Sequence, residues 1–269
     1  MKYFITGGCG FIGSNLVRKL LSEGSNSIKI YDNFCVGEVG DLAIDKSKII
    51  ENAEKEWPWE EGKVGVYEGD ILDLETLKNA ISGADVVIHL AANTGVAPSV
   101  ENPLMDCKVN VEGIVNVFEA MREHNVKRMV FASSGAPLGE VEPPIHEEVV
   151  PHPVSPYGAS KLAGEGYCSA YYKTFGIESA VLRFGNVYGP GSKNKSSVVA
   201  QFTKNLMDSK PLVVYGSGDQ TRDFIFIEDL IQAISKASKV ANLGNEIFQI
   251  ASSREVSVNE IISEMKEVA

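Results

Sequence analysis

A glycine triplet near the N-terminus constrains this chain more than any other feature. Thr6-Gly7-Gly8-Cys9-Gly10-Phe11-Ile12-Gly13 follows the short, β-prone run Tyr3-Phe4-Ile5 and opens a stretch with apolar residues at helical spacing. Gly7, Gly10 and Gly13 form GxxGxxG at this strand-to-helix turn, with Phe11 and Ile12 between the last two. The first glycines permit a tight turn and let backbone N–H groups approach a pyrophosphate; the third lets helix pack on strand. A glycine triplet alone reads equally as an ordinary turn, but this context is the one a dinucleotide requires. A second, independent signal is Asp32, which closes the next strand, Ile28 to Tyr31, about 20 residues on. A carboxylate there bonds adenosine ribose hydroxyls, and Asn33-Phe34 follow it rather than an arginine, so NAD is favoured over NADP.

The rest of the chain alternates in the same way. Strand patterns recur at Val64 to Tyr67, Asp85 to Leu90, Arg128 to Ala132 and Glu178 to Phe184. Helical patterns fall at Leu74 to Ile81, Val109 to Glu123 and Gly158 to Thr174. This rhythm predicts a parallel sheet covered on both faces. Gly69-Asp70-Ile71 and Leu90-Ala91-Ala92 follow two of the strands, where small residues let a cofactor lie against the backbone. Asp70, Ile71, Leu90, Ala91 and Ala92 therefore join the cofactor-binding set. The charged segment from Glu38 to Lys63 breaks the rhythm and reads as a surface helix followed by a loop, with Trp57 and Trp59 anchoring that loop. After Arg183 the pattern loosens around Gly189-Pro190-Gly191 and Gly216-Ser217-Gly218. The fold class is α/β, a Rossmann doubly wound parallel sheet over residues 1–184 with a smaller α/β C-terminal substrate region over 185–269. Part of 225–250 is expected to pack back on the first unit.

Composition narrows the partners. The 269 residues are 44% hydrophobic and 23% charged, as in ordinary globular proteins. A formal charge of -11 argues against nucleic acid and anionic membrane, both of which reward a basic surface. The four cysteines lie scattered without CxxC or a histidine cluster, so no metal and no disulfide framework is expected. With no apolar run of spanning length and Met1 leading directly into a strand, the chain reads as cytoplasmic.

Candidate chemistry lies further on. Tyr157 and Lys161 stand four apart at a helix start set by Ser155-Pro156, hence on one face. A phenol ionises near pH 10, and an adjacent ammonium should favour its phenolate; the same lysine could bond the nicotinamide ribose. Two exposed helix residues are the alternative. Ser134 ends a strand at the carboxyl edge of the sheet, where it either caps the strand or bonds a substrate hydroxyl beside Tyr157.

These pieces together resemble the extended short-chain dehydrogenase/reductase superfamily, in its NAD-dependent epimerase/dehydratase branch, closest to UDP-glucose and UDP-N-acetylglucosamine 4-epimerases. The resemblance is carried by TGGCGFIGS, the Asp32-Asn33 pair, GDI at Gly69, HLAA at His89, SPYGASK from Ser155 to Lys161, RFGNVYGP from Arg183 and TRDFIFIEDL from Thr221. It implies Ser134, Tyr157 and Lys161 as the catalytic set and Asn110 as a structural or cofactor-shell residue. It further implies contacts of Asn186 and Arg222 with the nucleotide sugar, the arginine at its diphosphate, with an ion pair to Asp223 as the alternative. Sister dehydratases carry an acid and a base directly after the hydroxyl residue, and related decarboxylases a glutamate. Here Gly135-Ala136 follow Ser134 and cannot move a proton. The expected reaction is thus reversible oxidation at C4 of a UDP-hexose or UDP-N-acetylhexosamine. An NAD-dependent dehydrogenase or reductase of nucleotide sugars and a non-catalytic NAD-binding sensor are the competing readings. The sequence departs from the family at Pro137-Leu138-Gly139, where an aromatic Val-Tyr-Gly is common, and in a C-terminal region shorter than usual. Relatives pair through the helices that carry Tyr167, Tyr171 and Tyr172 here, so a homodimer is expected, unless these aromatics pack only within the subunit.

Overall fold

A computed structural model of the chain describes residues 1–50 and 59–268. Its centre is an eight-stranded, wholly parallel sheet in the order β10-β7-β6-β5-β1-β2-β4-β3. The strands are β1 (Lys2–Thr6), β2 (Ser27–Asp32), β3 (Ile49–Ile50), β4 (Val64–Glu68), β5 (Val86–His89), β6 (Arg128–Ser134), β7 (Glu178–Phe184) and, after β8 (Asn186–Tyr188) and β9 (Thr221–Phe226), β10 (Asn245–Ile250). A last strand, β11 (Glu255–Ser257), pairs antiparallel with β9, which pairs parallel with β8, to give a separate small sheet. The helices are α1 (Phe11–Ser22), α2 (Leu74–Ile81), α3 (Val96–Glu101), α4 (Pro103–Cys107), α5 (Gly113–Glu123), α6 (Pro156–Phe175), α7 (Val198–Met207), α8 (Ile227–Ala237) and α9 (Val258–Val268). None of the described helices is long and apolar enough to cross a membrane.

Alternation of side chains in the strands builds two cores. Tyr3, Ile5 and Ile30 face one side with Leu16 and Leu20 of α1 and Leu230 and Ile234 of α8. Phe4, Tyr31 and Val87 face the other with Leu77 of α2, Phe118 and Met121 of α5, and Cys168 of α6. Both faces are covered, which is why the central strands read as near-continuous apolar runs. The chain reverses its direction of travel across the sheet between β1 and β5, a switch point that opens a crevice at the strands' carboxyl ends.

Beyond β7 the chain both returns to this body and leaves it. The Ser235 hydroxyl and Lys239 of the α8 segment reach Glu23 beside α1, and β10 extends the sheet against β7. The small sheet, α7 and α9 share a separate core around Phe202, Val258 and Ile261.

The Glu38 to Lys63 segment corrects the sequence reading. In place of a surface helix, its described residues form two short 3₁₀ turns, Val39–Leu42 and Lys46–Lys48, and the two-residue β3. Asp41 and Asp45 accept bonds from nearby backbone N–H groups, which offers the chain an alternative to helix. Trp57 lies outside the described residues. The Trp59 indole donates to the Ser82 carbonyl at 2.9 Å, and the Lys29 ammonium sits 4.4 Å from its ring centroid, so this tryptophan does fasten its loop.

One buried ion pair fixes α6 to the sheet. Glu165 accepts from Arg183 of β7 at 2.9 and 2.7 Å and from the Ser133 hydroxyl of β6 at 2.5 Å, with both charged side chains almost wholly buried. Removing one partner of such a pair costs about 3–5 kcal/mol, because the other charge is left buried and uncompensated. The clamp therefore holds the helix in one position over β6 and β7.

Candidate active site

The crevice begins where β1 ends. Gly7 has φ +70°, and a Cβ there would lie 2.7 Å from the Ala91 nitrogen, so only glycine lets this turn meet the chain leaving β5. Thr6 bridges the same junction: its hydroxyl lies 2.7 Å from His89 Nδ1 and accepts from the Ala91 N–H at 3.2 Å. Burial, then the Lys161 charge, push His89 down to about 3, so it is a neutral structural ring. A Cβ on Gly13 would collide with the Gly7 carbonyl, which explains the third glycine. Gly10 caps α1 without a side-chain bond, so the free N–H groups of Phe11 and Ile12 and the positive end of the helix dipole face the crevice.

Asp32 sits at the end of β2. Its carboxylate accepts from the N–H of Cys9 at 2.9 Å and of Phe34 at 2.9 Å, which ties it to the glycine turn. Burial raises its pKa against these two bonds, and its remaining lone pairs are available to a ribose diol. Asn33 donates to Asp70 at 3.0 Å, which brings together two residues from separate strand ends. Ile71 is buried against Gly113 below them, and Leu90 N–H bonds the Thr6 carbonyl at 3.1 Å. A backbone cradle free of side chains, a helix N-terminus and a ribose-competent carboxylate fit a dinucleotide.

Ser134, Tyr157 and Lys161 meet beside this cradle. Ser155 caps α6 by accepting from the Gly158 N–H at 3.1 Å, and Pro156 occupies the first turn, which sets Tyr157 at the sheet edge. The Ser134 hydroxyl accepts from the Ala136 N–H at 3.2 Å and lies near enough to the Tyr157 phenol to lower its pKa. The turn-capping alternative weighed for this serine is thus realised, and its hydroxyl lies on the tyrosine side of the turn.

The electrostatics differ from the simple expectation. Burial pushes Tyr157 up to about 12; Ser134 lowers it and Asp106 raises it. Lys161 does not act on it in this arrangement, because its ammonium is bound to the Ala132 carbonyl at 3.0 Å and lies 5.9 Å from the tyrosine ring centroid. Spacing four apart puts both residues on one face, yet the lysine is committed to β6. Burial brings Lys161 itself down to about 8, partly offset by Asp106.

Behind the pair lies a buried network that the sequence reading touched only at Asn110. A single π-helical turn, Lys108–Glu112, joins α4 to α5 and aims Asn110 inward. Its amide bonds the Asn93 backbone through both its nitrogen and its oxygen, and its nitrogen also reaches Asp106 and Ser160, each at 3.0 Å. Asp106, Glu165 and Arg183 were missed. Asp106 and Asn110, like Lys161 and Glu165, stand four apart, so helical spacing from the residues already chosen could have found both carboxylates. Asn186, on the edge strand β8, and Arg222, on the central strand β9, are exposed residues of the small sheet, apart from the triad's contacts. Arg222 bonds the Thr221 carbonyl at 2.7 Å, while Asp223 is held by Ser252, so the two do not form the ion pair considered above.

Fold and cradle together define a doubly wound α/β protein built around a dinucleotide. The family model for the NAD-dependent epimerase/dehydratase family matches residues 3–251. A relative described as a putative UDP-glucose 4-epimerase from Methanocaldococcus jannaschii is 38% identical, over 97% of this chain and 80% of its own length. The structure of UDP-glucose 4-epimerase from Thermotoga maritima with UDP-glucose aligns at a TM-score of 0.87 and 31% identity, covering 100% of this chain and 82% of that one. UDP-glucuronic acid 4-epimerase from Bacillus cereus, in complex with UDP-glucuronic acid and NAD, aligns at 0.87 and 29% identity, covering 100% and 83%. The chain belongs to the NAD-dependent epimerase/dehydratase family, and NAD is its cofactor.

A test of the site's electrostatics follows from Lys161. Its pKa falls from 10.5 to about 8 on folding, so between those values the unfolded chain binds more protons and stability gains as pH rises. The difference in urea unfolding free energy, wild type minus Lys161→Met, should therefore increase from about pH 7 to about pH 10. A flat or falling difference contradicts the burial of this charge.

Proposed function

We propose that the protein is a nucleotide-sugar 4-epimerase that acts on a UDP-linked hexose or N-acetylhexosamine by transient oxidation at C4. One observation carries the reading: Ser134 lies beside Tyr157 and lowers its pKa, and the residues that follow the serine, Gly135 and Ala136, bear no group able to move a proton. A lyase of this fold needs a second acid or base at that place; an epimerase needs none.

Residues 1–184 hold the dinucleotide and 185–269 receive the nucleotide sugar. Gly7, Gly10, Phe11, Ile12 and Gly13 surround the diphosphate, Asp32 and Asn33 the adenosine ribose, and Asp70, Ile71, Leu90, Ala91, Ala92 and Asn110 line the remaining path. Bound NAD supplies a reversible hydride acceptor and, when oxidised, a positive charge that offsets the burial of Tyr157. Tyr157 takes the proton of the C4 hydroxyl while Ser134 bonds the same oxygen. Lys161 would hold the nicotinamide ribose. Asn186 and Arg222 contact the nucleotide sugar, the arginine at its diphosphate, where a guanidinium fork suits phosphate oxygens. The 4-keto sugar turns beside the serine, where a Cβ on Gly135 would meet nothing within 4 Å, and is reduced from its other face. Of the named relatives, one is seen with UDP-glucose and the other with UDP-glucuronic acid, which supports a UDP-directed site here.

A homodimer accompanies this reading. Leu104 is 84% exposed, and Val96, Val100, Met105 and Tyr167 also face solvent along α3, α4 and α6. Tyr171 instead stacks on Phe118 and donates to Glu119, inside the subunit. Sedimentation equilibrium should give twice the chain mass, reduced toward one chain by Leu104→Glu; a monomer at micromolar concentration contradicts it.

Incubation with UDP-glucose, UDP-galactose and their N-acetyl forms, without added cofactor, should interconvert the C4 epimers with no net formation of NADH. Tyr157→Phe should retain NAD and lose at least about a hundredfold in turnover. Stoichiometric NADH identifies a dehydrogenase instead, and unchanged turnover in the variant removes the tyrosine from the chemistry.

A further inference from the structure

Between β8 and α7, residues 189–197 run back across the first unit as a strap. Asn15 of α1 donates to the Pro190 carbonyl at 3.1 Å, and Asn194 donates to the Val36 carbonyl in the loop after β2 at 2.8 Å. Lys193 pairs with Asp41 at 2.5 Å and lies 3.8 Å from Glu38. Arg18 of α1 holds that same loop through the Asp41 and Leu42 carbonyls. The strap is thus fastened to both walls that flank the glycine turn, α1 on one side and the loop after Asp32 on the other.

Its two outer lysines have different fates. Lys193 is neutralised by carboxylates; Lys195 forms no ion pair with any described residue. The Lys195 ammonium lies 5.6 Å from the Phe11 ring centroid, and Phe11 is the first residue of α1. It remains open to solvent, yet desolvation at the crevice rim lowers its pKa. A cation placed there, over a ring face and without an anion of its own, is suited to an anion that arrives with a ligand. The N-terminus of the same helix, which begins at Phe11, has no side-chain cap.

We infer that Lys195 binds the diphosphate of the dinucleotide, delivered across the glycine turn by a strap from the substrate region. The shared chemistry is a diphosphate, which both the dinucleotide and a UDP-sugar carry; contact with Phe11, between Gly10 and Gly13, favours the dinucleotide. The inference rests on the reading of the glycine turn as the NAD cradle. It makes cofactor retention depend on the C-terminal region as well as on the first unit, since a residue beyond β8 closes over the cofactor.

Equilibrium binding of NAD, ADP-ribose, adenosine and UDP to the whole protein separates the possibilities without reference to turnover. Lys195→Ala should weaken NAD and ADP-ribose by roughly tenfold or more, the size expected for a hydrogen bond to a charged group, with little change for adenosine or UDP. Lys195→Arg should restore most of the loss. Equal NAD affinity in wild type and Lys195→Ala overturns the inference alone, as does a loss confined to UDP. Wild-type protein that binds no dinucleotide overturns the cradle reading itself.

Discussion

The backbone of Gly7 lies against that of Ala91, and most of the site depends on this approach. Two parallel strands that neighbour each other in space but not in sequence must diverge into helices on opposite faces, and their turns compete for the same volume. A side chain at Gly7 would fill it. Thr6 then locks the junction by bonding both His89 and the Ala91 N–H. What results is a groove walled by backbone, into which the N-terminus of α1 points and beside which Asp32 is pinned by the Cys9 and Phe34 amides.

The chemical groups reach this groove from the other half of the sheet, and a separate device positions them. Glu165 draws α6 onto Ser133 and Arg183, one turn beyond Lys161 and one residue before Ser134. The same helix therefore fixes the tyrosine, the lysine and, through β6, the serine. Among the chain's own groups burial dominates: the tyrosine is held protonated, and one lysine donor is bonded to the Ala132 carbonyl. On this account the phenol becomes a base only when positive charge is added at the nicotinamide position, so proton transfer is tied to the oxidised cofactor. The strap carrying Lys195 extends the same dependence to the C-terminal region.

Much of this was legible in the residues because local constraints and function coincide. The strand-glycine-helix order, the position of Asp32 and the Ser155-Pro156 helix start are each dictated by backbone geometry, and geometry leaves a direct mark on sequence. The parallel sheet followed from apolar runs that only a doubly covered strand requires. The segment after β2 was misread because charged residues at helical spacing resemble a surface helix, while Asp41 and Asp45 were bonding the backbone as turns. Long-range partnerships were harder. Nothing near Lys161 announces that its ammonium would bond a carbonyl of β6, and the Lys193 and Lys195 contacts join positions more than 150 residues apart. Such pairs are set by topology, and a single sequence does not encode them in any local pattern.

The central claim is that the hydrogen at C4 leaves the sugar and returns to it within one closed site. Turnover of UDP-glucose deuterated at C4, followed by mass and NMR analysis of the UDP-galactose formed, tests this directly. Retention of the label at C4 of the product, with none appearing in solvent water, is the expected result. Loss of the label to solvent would mean that C4 is deprotonated instead of oxidised, and would contradict the account.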